Sequence, residues 1–502
     1  MNLPSFSGKR VLLLQGPVGP FFWNLAKDLR AQGAQVHKFN FNAGDWLFYP
    51  KGAQSFKGHL RDWPAVLQAF MRAQRIDVVL LFGDCRPVHL CVRGLAQELG
   101  CALGVFEEGY LRPDYVTFEP IGVNGHSGFA QSLPHWLAQQ ALNPQGDTPP
   151  ATVKAGQRVG STYGHAAMQG MAYFFAAWLG QWFWNNGLHH RRMTVLDAPW
   201  WWLSFGRKAW YKFTERGVQQ QLCTVHSKNF FLVPLQVYND AQITVHSDFE
   251  SVSNFADYVM RSFAKALADE LTQGVPQGGE SIADTLLVFK HHPMDRGHRN
   301  YAKVLQRLTQ RYGLEGKVRY IHDQHLPSLL KATRGVVVVN STVGLSALGH
   351  GAPVKVCGTA LYNIPGLTFQ GRLRQFWHWA AHGVPDEAEL QRFRQALIRR
   401  TQLNGSFYRK LPDTGWQCGV ALDGQMAERL WPQALQAPEA SVESAHEGKA
   451  AEQPRTLLAE ASEKLLQKRT SRPSPATAAQ RSRSPNAKAP ASARKNKKSP
   501  KR

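Results

Sequence analysis

At 502 residues, 43% of them hydrophobic and 19% charged, the chain is long enough for two or three ordinary domains and too apolar to be disordered throughout. Six cysteines scattered without a Cys-x-x-Cys pair argue against a disulfide-stapled scaffold or a cysteine metal site, and fit a reduced cytosolic protein. The formal charge of +23, of which the 15 Lys/Arg and 6 Asp/Glu from Glu439 onward supply +9, suits anionic partners such as nucleotides, acidic sugars, phospholipid head groups or nucleic acid without choosing among them.

In chain order, residues 11–14 form an apolar run too short for a signal peptide and read as a first strand, followed by a Gly-Pro-Val-Gly-Pro turn at 16–20. A helix is expected over 21–32, a strand over 35–41, a helix over 63–73 and a strand over 77–82 that ends at Gly83-Asp84. Another helix is expected over 87–99 and a strand over 102–106. Such alternation predicts βαβ units with a parallel sheet, whose ligands lie beyond the carboxyl ends of the strands. That places Gly16 to Gly19, Gly83-Asp84 and Glu107-Glu108-Gly109 on one edge.

Residues 161–213 differ in composition, with Phe174, Phe175, Trp178, Trp182, Phe183, Trp184 and the Trp200-Trp201-Trp202 run flanking His189-His190-Arg191-Arg192. They read either as a buried helical layer between domains or as an interfacial element, aromatics towards acyl chains and Arg towards phosphate. No stretch reaches the roughly 18 to 20 apolar residues that span a bilayer.

From residue 229 a second α/β pattern runs: strands over 230–234, 285–290, 318–321, 335–339 and 354–356, with helices over 255–272, 300–312, 326–332 and 343–350 between them. The expected domains are therefore 1–160, an aromatic-rich helical segment at 161–228, 229–436, and a basic tail at 437–502 too poor in apolar residues to fold. Two doubly wound α/β units in one chain predict a GT-B-like architecture, two Rossmann-like domains facing a cleft.

Two strand ends in the second unit have the chemistry of an anion site. Asn340-Ser341-Thr342 opens a helix, where backbone N–H groups and hydroxyls can meet a phosphate. Lys290-His291-His292-Pro293 also follows a strand, and can add positive charge with Pro293 fixing the turn. In the first unit Glu107 and Glu108 are adjacent carboxylates, one of which can be lifted by the other into the range of a general acid or base. Asp240 lies just after a strand in the other half, and a carboxylate from each wall is what a retaining glycosyl transfer uses.

Phe-Glu-Glu-Gly-Tyr-Leu-Arg-Pro-Asp-Tyr at 106–115, Pro-Leu-Gln-Val-Tyr-Asn-Asp at 234–240, Lys-His-His-Pro at 290–293 and Asn-Ser-Thr-Val-Gly at 340–344 together resemble bacterial capsule polysaccharide synthesis proteins. The likeness spans roughly residues 8 to 410, includes Leu-His-His-Arg at 188–191, and is to the capsular β-Kdo transferases. It implies a GT-B fold, CMP-Kdo as donor and retention at the anomeric carbon. The acceptor it implies is a (lyso)phosphatidylglycerol-type glycolipid already carrying Kdo, met at the inner-membrane surface, with other capsule assembly proteins as partners. It also implies Asp240 as nucleophile, Glu107 or Glu108 as acid/base, and His292, Ser341 and Thr342 on the CMP phosphate. Arg112, His189, His190 and Arg191 are the candidate acceptor-binding residues. No cofactor, metal or specific nucleic acid is expected, and the place of action is the cytoplasmic side of the inner membrane, peripherally. The alternatives are a non-catalytic component of capsule export or a GT-B-like sugar-nucleotide epimerase.

Overall fold

A computed structural model of the chain describes residues 5–132, 156–184, 188, 198–238, 247–411, 414–422 and 425–431. Two sheets organise it. The first comprises β1 (Arg10–Leu13), β2 (Gln35–Asn40), β3 (Gln54–Ser55), β4 (Val78–Phe82), β5 (Ala102–Glu108), β6 (Tyr115–Pro120) and β12 (Gln402–Asn404), in the order β12-β6-β5-β4-β1-β2-β3. The second comprises β7 (Phe230–Pro234), β8 (Leu286–Lys290), β9 (Val318–Ile321), β10 (Gly335–Val338) and β11 (Val354–Val356), in the order β11-β10-β7-β8-β9. Every pairing in the second sheet is parallel. Both sheets contain the 3-2-1-4-5 order of a doubly wound unit. The expected α/β architecture of two Rossmann-like sheets is present.

Local sequence explains the layers. Along β1, Val11 and Leu13 join the core with Phe21, Leu25 and Phe106, while Leu12 and Leu14 face the opposite core with Phe39, Trp63 and Leu67. The strands β7, β8 and β10 are buried along their whole length because helices cover both faces. The helix Val252–Gln273 buries Phe255, Ala256, Val259, Met260 and Phe263 at helical spacing. It starts where Ser251 accepts the Asn254 N–H at 3.2 Å and stops at Gly274, whose φ is +82°.

Three parts of the fold differ from the expectation. The strand expected over 102–106 continues to Glu108, turns, and returns as β6, antiparallel to it with Glu107 opposite Thr117. The turn demands Gly109, since a Cβ there would lie 1.9 Å from the Tyr115 carbonyl oxygen. The boundary 229–436 does not hold at its end: β12 pairs antiparallel with β6, and Phe407, Val420, Leu422 and Met426 complete the first sheet's core. The crossing runs along the helix Glu387–Thr401, whose Leu390, Phe393 and Leu397 pack in the second sheet's core together with Tyr110 and Phe129 of the first unit. Arg429 then donates to the carbonyls of Phe118 (3.0 Å) and Gln402 (2.8 Å), stitching the returning segment to β6.

The aromatic region is largely not a buried layer where it is described, although Trp184 is buried. Of the helix Tyr163–Leu179 only Tyr173 and Ala177 are buried, while Met168, Met171, Phe175 and Leu179 are exposed. Beyond it Trp182 is 86% exposed. The tail expected over 437–502 lies outside the described residues.

Candidate functional site

The carboxyl ends of β1, β4 and β5 lie side by side as expected: the Phe82 N–H donates to the Gln15 carbonyl at 3.2 Å and the Gly83 N–H to the Phe106 carbonyl at 2.9 Å. Glu107 and Glu108 are the last residues of β5. Burial, reinforced by the neighbouring charge of Glu108, pushes the Glu107 carboxyl up to about 7. The Glu108 N–H, which donates to Glu107 Oε1 at 2.9 Å, and the guanidinium groups of Arg86 and Arg112 pull the other way without prevailing. A carboxyl held there exists in both protonation states near neutrality, as a general acid/base must. Glu108 is engaged differently: the Tyr408 hydroxyl donates to its Oε1 at 2.7 Å.

Arg86, which the motif reading did not single out, is a part-buried cation of this edge. Its Nη1 donates to Gln15 Oε1 (3.1 Å) and the Gly16 carbonyl (2.8 Å). Gln15 in turn donates to Asp45 at 3.2 Å. Asp45 also accepts from the Tyr173 hydroxyl at 2.9 Å, and Asn42 donates to that hydroxyl at 2.8 Å. The helix Tyr163–Leu179 is thereby pinned over the edge. Gly19 lets it approach, since a Cβ there would meet Gln169 at 2.2 Å. Beside this network Lys38 is buried, and burial lowers it to about 8 despite Asp45. Arg112 is exposed on the turn after β5, its Nε donating to the Gly109 carbonyl at 3.0 Å.

The same sheet edge holds Asp84, Cys85 and His126, whose ligand atoms lie within 4.8 Å of one another. Their bonding is that of an ion-pair cluster. Burial alone would lift Asp84, but the His126 hydrogen bond at 2.9 Å and the Arg93 guanidinium at 3.1 Å hold its carboxyl below the usual range. Burial and Asp84 push the Cys85 thiol far up.

In the second sheet the ends of β7, β8 and β10 meet. The Leu235 N–H donates to the Lys290 carbonyl at 2.9 Å, and Gln236 donates to Asn340 Oδ1 at 3.1 Å. The strand-end expectation for Lys290-to-Pro293 and Asn340-to-Thr342 is met in position, but not every side chain is available as expected. Lys290 is buried and spends its ammonium on the His322 carbonyl at 3.0 Å, with burial lowering its pKa. His291 is buried, its Nδ1 2.6 Å from the Tyr320 hydroxyl, and burial beside His322 lowers it to about 3. His292 is the more exposed of the pair; its Nδ1 accepts the Met294 N–H at 3.2 Å, starting the short helical turn Pro293–Asp295. Ser341 caps the helix Thr342–Leu348 by accepting the Val343 N–H at 3.3 Å, and the Tyr362 hydroxyl donates to its carbonyl at 2.5 Å.

The loop after β7 is anchored by Asp295, which accepts the Tyr238 N–H at 2.9 Å. Asp240 follows two residues later and lies outside the described residues, as do His189, His190 and Arg191. Next to them in sequence, the helix Ala198–Thr214 and Glu215 dock on the β8–β9 edge. Arg207 donates to the Arg296 carbonyl at 2.7 Å, Tyr211 stacks on His322 with centroids 3.5 Å apart, and Glu215 Oε1 is 2.5 Å from His322 Nδ1. Leu203, Phe205, Trp210 and Phe213 of this helix stay exposed.

Two doubly wound sheets, one parallel and one with an antiparallel edge, joined through a shared core and each with titratable and hydroxyl side chains at its carboxyl edge, define a two-unit α/β protein with a polar site at its strand ends. The model of the family described as capsule polysaccharide biosynthesis protein matches residues 77–408. The Capsule polysaccharide export protein KpsS of Escherichia coli is 37% identical over 417 residues, covering 80% of this chain and 97% of its own. The Capsule polysaccharide modification protein LipB of Neisseria meningitidis serogroup B is 37% identical over 410 residues, covering 80% and 92%. Among solved structures, Thermosulfurimonas dismutans KpsC, a beta Kdo 2,7 transferase, aligns over 78% of this chain and 97% of its own at 13% identity with a TM-score of 0.35. A UDP-GlcNAc 2-epimerase from Methanocaldococcus jannaschii aligns over 78% and 99% at 12% identity with a TM-score of 0.28. The chain belongs to the capsule polysaccharide biosynthesis protein family.

Proposed function

We propose that the chain is a retaining glycosyltransferase that adds β-Kdo from CMP-Kdo to a (lyso)phosphatidylglycerol-type glycolipid in the synthesis of a capsule linker. The observation that carries the reading is Glu107, a carboxyl at the end of β5 that burial raises to about 7 against the pull of Arg86 and Arg112. Such a group can protonate a departing oxygen and later take a proton back. The second sheet supplies the donor side: His292 and the Ser341–Thr342 helix start face the end of the same sheet, where imidazole, hydroxyl and backbone N–H groups suit the CMP phosphate. Asp240 is the proposed nucleophile. No helix among the described residues is long and apolar enough to cross a membrane. The exposed apolar faces of the helices Tyr163–Leu179 and Ala198–Thr214, the latter with Lys208 and Lys212, suit peripheral contact with the anionic inner-membrane surface that carries the acceptor.

The test is incubation of the purified protein with CMP-Kdo and a phosphatidylglycerol-type glycolipid, following CMP release and the mass of the lipid. A lipid gaining one or more Kdo units supports the reading. Neither CMP nor product would sink it and leave a non-catalytic part in export.

A further inference from the structure

Away from the carboxyl groups and histidines above, the described surface holds a cationic concavity. At β11, the edge strand opposite β9, an open cleft of about 580 Å³ lies between the helices Val252–Gln273 and Leu373–Trp379. Arg261, Lys265, Lys355, Arg372 and Arg374 line it, with the Tyr258 ring on one wall. Asp269 pairs with Arg374. Arg261, Lys265 and Arg372 make no ion pair among the described residues. Lys355 is half-buried at the floor; its ammonium reaches the Phe369 carbonyl at 3.4 Å, and burial depresses its pKa.

Five cations line one cleft and, among the described residues, only Arg374 is paired with a carboxylate, which gives an anion a pre-formed field. A single carboxylate would leave most of that charge unmatched. A phosphate group carries up to two charges and three acceptor oxygens, and the guanidinium fork binds it through paired hydrogen bonds. We propose that this cleft is a second anion site, for a phosphate-bearing ligand, independent of the proposed transfer chemistry. Two sources offer the same chemistry, a free di- or monophosphate and an anionic phospholipid head group.

Two measurements on the full chain separate the sources, with no sugar nucleotide present. Calorimetric titration with inorganic pyrophosphate should show saturable binding that weakens steeply with salt. In the double variant Arg261→Gln/Lys265→Gln it should be at least tenfold weaker, and in Arg261→Lys/Lys265→Arg near wild type. Both positions are exposed on a helix, and an unchanged melting curve verifies folding. Flotation with phosphatidylglycerol/phosphatidylcholine vesicles against phosphatidylcholine alone gives the second arm. Capture that needs phosphatidylglycerol and drops in the Gln variant assigns the site to a lipid head group; loss of pyrophosphate binding with unchanged capture assigns it to a free phosphate. If the wild type binds neither probe, or binds both as the Gln variant does, the proposal is overturned.

Discussion

At the scale of single residues, the acid/base reading places a sharp demand on Glu107. If its protonated form is the acid of the first step, kcat/KM for transfer should fall as pH rises through about 7. Glu107→Gln should lower kcat roughly 100-fold or more and remove that limb, measured by CMP release across pH 5.5–8.5. Glu119, one strand pairing away, is a second raised carboxyl: burial lifts it to about 7 although Ser127 and Tyr110 donate to it. It is walled into β6 and reads as structural. Because its folded pKa lies above its unfolded one, the folded state binds the extra proton, and the stability it contributes is lost as pH rises from 4.5 through 7. Glu119→Gln lacks that term. Its unfolding free energy should therefore change less favourably than wild type's between pH 7 and pH 5, by about 2 kcal/mol at ~1.4 kcal/mol per pH unit, in denaturant titrations at the two pH values. Glu107 was legible because paired carboxylates at the end of an apolar run mark a strand terminus. Arg86 and Tyr408 were not. Tyr408 meets Glu108 from 300 positions along the chain, a distance over which no periodicity speaks.

At the scale of elements, β4, β7, β8 and β10 could be read because burial on both faces makes them near-continuous apolar runs. The strand β12 escaped because it takes its place only through β6: it has three residues and no apolar run of its own. The aromatic segment is a different kind of case. Its helix Tyr163–Leu179 is apolar around most of its circumference, which composition alone cannot distinguish from a core helix. What holds it is polar: the Tyr173 hydroxyl between Asp45 and Asn42. Tyr173→Phe should cost about 2 kcal/mol, because both buried partners lose a hydrogen bond. It should also free the helix from the first sheet, seen as faster proteolysis between residues 156 and 184 with the rest of the chain intact.

At the scale of the molecule, the two sheets share a core and a chain crossing rather than meeting as separate domains. Glu387–Thr401 packs against the second sheet while delivering β12 to the first. A chain ending at Thr401 should therefore melt at a markedly lower temperature, having lost Phe407, Val420 and Leu422 from the first sheet's core, whereas a chain ending at residue 433 should melt as the full protein does. Calorimetry of both truncations checks this.

The crossing also fixes an order of events during synthesis. Thr117 of β6 leaves the ribosome 285 residues before its partner Gln402, which at 5–20 residues per second is a wait of roughly 15–60 s. Throughout that interval β6 stands as an unpaired edge and the apolar face awaiting Phe407 and Val420 is uncovered, an open template for another nascent chain. The N-terminal unit cannot finish before the second unit has been made. A chaperone that shields strand edges should therefore raise the yield of this protein more than that of a chain whose domains close in sequence.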